Sequence, residues 1–207
     1  ALNSSATAGL FRGNHGLGRE TMLNLELGAD FSLGAWRLET AVFHRWDDDL
    51  VDWTFRRGVV ARTANPVDLR VAGVELVAVR PGEHLDLVLG YAFMDKTADY
   101  GLSAVDASFY ALNFARHRLT AAVTWRIGRG WEVRSDNEWR WQEANLLRTT
   151  GGDRAWLAAL GLHYLPPAVP GLELYLQADN LWDEDFQEVP AVPAGRRQFA
   201  GGFAWRW

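Results

Sequence analysis

Four acidic residues, Asp47, Asp48, Asp49 and Asp52, stand close together and offer the oxygen ligands that a hard cation such as calcium takes. The simpler use of such a cluster is a solvated run at the start of a connection. The 5 histidines, His15, His44, His84, His117 and His163, are scattered, and no pair has a metal-ligand spacing such as His-x3-His. Covalent catalysis by serine needs a histidine and an acid beside it. Ser32 and Ser135 lie in regular segments, and neither has a histidine at an adjacent strand position. No catalytic residue, metal site or cofactor is therefore expected. Two sets of charged residues remain. Arg118, Arg126, Glu132, Arg134, Glu138 and Arg140 recur at every second position, as a ligand-contacting wall or a solvated, mutually paired one does. Trp53, Phe55, Arg56, Arg57, Arg148, Arg154 and Arg196 fall in the stretches between regular segments. Guanidinium groups among aromatic rings suit an anionic chelate, and they equally suit a rim facing lipopolysaccharide.

The elements that must position these groups are strands. The chain ends in ten residues of unbroken alternation, with Phe199, Gly201, Phe203, Trp205 and Trp207 on one face and Gln198, Ala200, Gly202, Ala204 and Arg206 on the other. The same period recurs in eight earlier segments: Thr21–Leu33, Trp36–Trp46, Val71–Arg80, Leu85–Asp95, Arg116–Ile127, Trp131–Gln142, Trp156–Leu165 and Leu172–Trp182. In Arg116–Ile127, for example, Leu119, Ala121, Val123, Trp125 and Ile127 oppose Arg118, Thr120, Thr124 and Arg126. Connections alternate too. Gly34-Ala35, Pro81–His84, Gly128–Gly130 and Pro166–Gly171 are short and built of turn residues. The stretches from Asp47 to Arg70, Lys96 to Ala115, Glu143 to Ala155 and Asp183 to Arg197 are long.

Short turns on one rim and long loops on the other predict an all-β, antiparallel up-and-down transmembrane barrel. Segments of about ten residues are long enough to cross a bilayer at a tilt. The chain has 11 Trp, and they sit near both ends of the segments, as aromatic girdles do. A soluble β-sandwich has the same alternation strand by strand, but loops of about 20 residues confined to one side are uncommon there. The 207 residues contain no cysteine, which excludes a disulfide scaffold, and the net charge of −5 argues against a nucleic-acid partner. No run of about 18 apolar residues is present, so no transmembrane helix is expected.

Several segments resemble the C-terminal part of a TonB-dependent outer-membrane receptor. Ala178–Phe186 is similar to that family's x-N-L-[FT]-[DN]-x-x-Y element, and Pro193-Ala194-Gly195-Arg196 to its P-x-G-R. Ala72-Gly73-Val74-Glu75 resembles a GxE strand start, and Gly90–Asp95 a GYxxxD strand. Ala115–Leu119 resembles P-x-H-x-L with alanine in place of proline, and Leu10–Glu20 resembles an LF-x-N-x-x-L-x-x-E loop. The order of these pieces covers nearly the whole chain.

The resemblance implies a bacterial outer-membrane location and a barrel of about 22 strands, of which nine are expected here. It implies TonB-dependent uptake of a scarce chelate, a ferric siderophore or cobalamin, with TonB, the barrel-assembly machinery and membrane lipid as partners. Residues 1–207 are then expected to be the C-terminal barrel segment, with plug domain and earlier strands absent and Ala1 standing inside an extracellular loop. Phe199, Phe203, Trp205 and Trp207 become the assembly signal. Arg118, Arg126, Glu138 and Arg140 become lumen-facing, and Trp53, Arg56, Arg57, Arg148, Arg154 and Arg196 become loop contacts for ligand. A passive porin is the alternative, distinguished by a constriction loop folding into the lumen. A soluble binding module is a third reading.

Overall fold

The computed structural model describes residues 11–188, 192 and 194–207. Ala1, Leu10 and Pro193, which enter the expectations above, lie outside the described residues. Eleven strands are present there: β1 (Phe11–Arg12), β2 (Thr21–Leu33), β3 (Trp36–Phe55), β4 (Arg62–Arg80), β5 (Leu85–Asp99), β6 (Ala107–Ser108), β7 (Ala115–Gly128), β8 (Trp131–Gln142), β9 (Arg154–Tyr164), β10 (Leu172–Asp179) and β11 (Gln198–Trp205). The nine long ones form one antiparallel meander in the order β11-β10-β9-β8-β7-β5-β4-β3-β2, and β2 and β11 are its open edges. The two-residue strands lie off this path: β1 pairs with β4 in parallel and β6 with β3.

Pairing keeps side chains of like kind in the same row. Leu76, Tyr91, Leu119, Trp139 and Trp156 are direct partners across β4, β5, β7, β8 and β9. One residue along, the row is Glu75, Ala92, Arg118, Arg140 and Ala155. A one-residue slip on any strand would put charges among the leucines, so the alternation itself sets the register. The first face is called outward here and the second inward.

Two elements differ from expectation. The connection expected from Asp47 to Arg70 is mostly strand: β3 and β4 run on as a 20-residue and a 19-residue pair, and only residues 56–61 turn. The cause is a bulge between Asp47 and Leu50, with Asp49 at a φ of 55°. One extra residue on a strand reverses its phase. Leu50, Asp52 and Thr54 then point inward, where the simple alternation would put Val51, Trp53 and Phe55. At the other end of the chain β10 stops at Asp179, short of the expected Trp182, because Asn180 and Asp183 both adopt positive φ.

The phase reversal creates the core. Val67, Leu69 and Val71 on the inward side of β4 are buried with Ala111 of the β6–β7 connection, against Phe43, Leu50, Met94, Ala98 and Tyr100. Each such aliphatic side chain contributes about 1.5–3 kcal/mol when withdrawn from water. Lower on the sheet the described residues form no comparable core, and every residue of β2 is exposed.

Candidate functional site

The long-loop rim is a mouth held by three polar knots. The first is Asp52, brought inward by the bulge and only 1% exposed. Its Oδ1 accepts from the Tyr110 amide at 3.1 Å, and its Oδ2 accepts from the Tyr100 hydroxyl and the Ala111 amide, both at 2.8 Å. Burial pushes the Tyr100 phenol above its ordinary value, so it stays a donor to this carboxylate. The calcium reading of the acidic run gives way to this arrangement. Asp52 is saturated by the protein, Asp47 accepts from Arg45 at 2.8 Å, and Asp68 takes the Asp49 amide at 3.1 Å. Among the described residues no acid or histidine cluster could hold a metal.

The second knot is Arg148, whose side chain is 1% exposed. It donates to Asp153 at 2.5 Å, to the Gln187 carbonyl at 3.1 Å, to the Glu143 carbonyl at 3.2 Å and to Asn113 Oδ1 at 3.1 Å. Phe186, buried, lies under both the Arg140 and the Arg148 guanidinium groups, 5.5 and 5.7 Å from its ring centre. Asn113 and Gln142 donate to the Glu188 carbonyl. Gln142 Oε1 is the buried side-chain polar atom left without a partner among the described residues. Three connections, β6–β7, β8–β9 and β10–β11, are thereby interlocked.

The third knot shapes the last connection. Asn180 donates to the carbonyls of Glu184 and Gly195 and accepts from the Glu184 amide. Arg196 grips Asp183 with Nε at 3.0 Å and a second nitrogen at 2.5 Å, while the Arg197 amide donates at 2.9 Å. Arg196 and that amide together hold the Asp183 carboxyl down at about 2.

Below the mouth the inward wall is a chain of ion pairs. Arg118 meets Glu138 at 2.7 Å, Arg140 bridges Glu138 and Glu188, and Arg126 pairs with Asp86. Arg134 joins Glu132 and Glu173, each at 2.9 Å, and Glu173 accepts from or is paired with His163 Nδ1 at 2.8 Å. Between this wall and the last connection lies a groove of about 630 Å³, lined by Val88, Ala122, Asp136, Leu157, Phe186 and Val192 among others.

The family model for the TonB dependent receptor-like β-barrel matches residues 2–181. The chain belongs to this family. TonB-dependent receptor barrels are outer-membrane transport proteins of bacteria. Solved members share the fold at low identity. The FrpB iron transporter from Neisseria meningitidis (F3-3 variant) superimposes with a TM-score of 0.66 at 16% identity, over 94% of this chain and 33% of its own. The copper transporter OprC gives 0.71 at 17% identity, over 95% and 34%. The pyoverdine receptor FpvA from Pseudomonas aeruginosa PAO1, bound to pyoverdine, gives 0.66 at 12%, over 97% and 32%. The chain thus spans about a third of the length of these structures. Comparison with curated protein sequences gives no match.

In this TonB-dependent receptor segment the expected ligand contacts do not gather at one point. Arg56 and Arg57 lie exposed in the β3–β4 turn, where the Arg57 amide donates to Asp106. Trp53 packs edge-on against Phe11, with ring centres 5.2 Å apart. Arg148 donates to four protein acceptors and so fastens the loops. Arg154 pairs with Trp141 across the β8–β9 ladder and stacks on that indole, which places it on the outward face. Arg196 is exposed but engaged by Asp183. Arg118, Arg126, Glu138 and Arg140 share the inward face. Asp52, Asn113, Phe186 and Gln187 had no local signal, because their partners stand far away in sequence. Asn180 and Asp183 lie in the motif segment and needed only the reading that polar residues there take left-handed turns.

Proposed function

We propose that this chain is the C-terminal barrel segment of an outer-membrane receptor that imports a scarce metal chelate, a ferric siderophore foremost, by TonB-dependent active transport. One observation carries the reading: a nine-strand meander with an apolar outward face and an ion-paired inward face aligns over 94–97% of its length with iron and siderophore transporters of the family. The plug, the TonB contact and the remaining strands belong to the rest of the receptor, which also pairs with the open edges of β2 and β11. Outward Phe199, Phe203, Trp205 and Trp207 form the assembly signal beside β11. The half-buried Trp53, the exposed Arg56 and Arg57 and the groove under Phe186 are the first ligand contacts to test.

The passive-pore alternative draws on the way the β10–β11 connection packs against the inward wall through Phe186 and Glu188. Uptake of radiolabelled ferric chelates by cells with and without the receptor separates the two. Active transport predicts saturable uptake that is lost when TonB is removed. Uptake that rises linearly with concentration and survives TonB removal supports the pore and overturns the receptor.

A further inference from the structure

The outward face of β5 to β9 carries a feature that the outward face of β2 to β4 does not. Phe93, His117, Trp141 and Arg154 occupy one register row. They stack in that order: ring centres are 5.2 Å apart for Phe93 and His117 and 5.4 Å for His117 and Trp141, and the Arg154 guanidinium lies 4.8 Å from the Trp141 ring. The Tyr91 hydroxyl is 3.0 Å from His117 Nδ1 and fixes the imidazole. Arg116, the neighbouring cation, is already held by Asp95 at 3.3 Å and Glu143 at 2.8 Å. Arg154 is exposed and makes no ion pair among the described residues.

Directly below this row the surface is cut. Leu76, Tyr91, Leu119, Trp139 and Trp156 form a bulky shoulder, and in the next row Ala78, Ala121 and Asn137 are smaller, with Leu89 among them. The result is an apolar furrow of about 420 Å³. Asn137 in its floor turns its amide nitrogen back on the protein, donating to Ser135 Oγ at 2.9 Å and to the Ala121 carbonyl at 3.4 Å. Four residues separate Trp141 from Asn137, which is ~13 Å along the strand and ~10 Å of depth at the tilt of a barrel wall. A cation thus stands at headgroup level and an apolar furrow at acyl level on the same strands.

We propose that this row and furrow bind a membrane lipid with an anionic phosphate headgroup, the phosphate on Arg154 and one acyl chain along the furrow. This rests on the reading that the outward face meets the bilayer. The guanidinium fork matches a phosphate, and its weak hydration lowers the cost of seating it there. Trp141 beneath the guanidinium limits its rotamers, so less freedom is lost on binding. The neutral alternatives for the furrow, a zwitterionic lipid or a second copy of the chain, make no use of Arg154.

The test uses the complete receptor in phosphatidylcholine vesicles containing lipid brominated on the acyl chain, either phosphatidylglycerol or phosphatidylcholine, with tryptophan quenching as readout. Quenching by both lipids, stronger for brominated phosphatidylglycerol, is expected. Arg154→Gln is expected to lower that preference about fivefold, and Ala121→Phe, which fills the furrow, to lower it as well. Arg70→Gln, at another outward cation without the furrow, should leave it unchanged. Equal quenching by the two lipids overturns the proposal, as does an equal loss in Arg70→Gln. Protection from both quenchers that grows with receptor concentration points to a second copy and also overturns it. Absence of quenching by either lipid instead sinks the membrane-wall reading itself. Arg154→Gln removes no buried group, so it decides the matter even if Ala121→Phe fails to fold.

Discussion

The mouth and the wall of this sheet are stabilised in opposite ways. At the mouth the chain encloses itself: Val67, Leu69 and Val71 are buried under Ala111, Asp52 accepts three hydrogen bonds from the segment 100–111, and Arg148 donates four, two of them to residues of other connections. In the wall, outward Leu25, Leu27, Leu119, Leu176 and Phe203 are exposed. Inward ion pairs such as Arg118 with Glu138 also remain partly open to solvent. The mouth carries its own core, whereas the wall depends on backbone ladders and on what lies on either side of it. A wall of this kind needs an apolar medium on its outward face and partners for its edge strands.

This difference can be broken at chosen points. Replacing Asp52 by Ala leaves the Tyr100 hydroxyl and the Tyr110 and Ala111 amides without their acceptor, and costs about 3 kcal/mol locally. Amide hydrogen exchange should rise sharply over residues 100–111 while β7 and β8 stay protected. A parallel rise in the wall would merge the two regions into one cooperative unit. Arg148→Ala frees Asp153 and uncovers Phe186, at about 2 kcal/mol. Limited proteolysis should then cut the β8–β9 and β10–β11 connections, and Arg148→Lys should restore only part of the resistance, because an ammonium cannot reach the same spread of acceptors. Arg118→Gln in the wall should shift detergent unfolding by less than about 1 kcal/mol, since the pair is half open to water.

The smallest effect is set by pH. Asp183 is held at about 2 against an ordinary 3.8, so the charged form is the one favoured in the folded loop. Its contribution is complete above 3.8 and is lost as pH falls toward about 2. Protection of the β10–β11 connection should fall over that window and stay level above it. Asp183→Asn should abolish the dependence.

Much of the wall was legible in the chain, because strict alternation states both the strand and its two faces. Arg118, Arg126, Glu138 and Arg140 fall on the inward face by parity alone. Arg154 was legible on the same rule, sharing the parity of Trp156, although its position beside a long connection suggested a ligand contact instead. The upper halves of β3 and β4 were hidden by the Asp48-Asp49 bulge, which breaks the period that marks a strand. The pairings of the first two knots were not legible. Asp52 and Ala111 stand 59 positions apart and Arg148 and Gln187 39, and no local pattern links residues at such separations.

The lipid-facing assignment of the outward face can be measured on one pair of neighbours. Leu119 points outward opposite Trp139, and Thr120 inward opposite Glu138. The chain has no native cysteine, so Leu119→Cys and Thr120→Cys can each carry a single spin label in the membrane-inserted receptor if the remainder is also cysteine-free. A membrane wall predicts that the label at 119 relaxes with oxygen, which concentrates in the acyl region, and that the label at 120 relaxes with a water-soluble nickel complex. Equal access of both labels to the nickel complex, or the reverse preference, would contradict a lipid-facing outward wall.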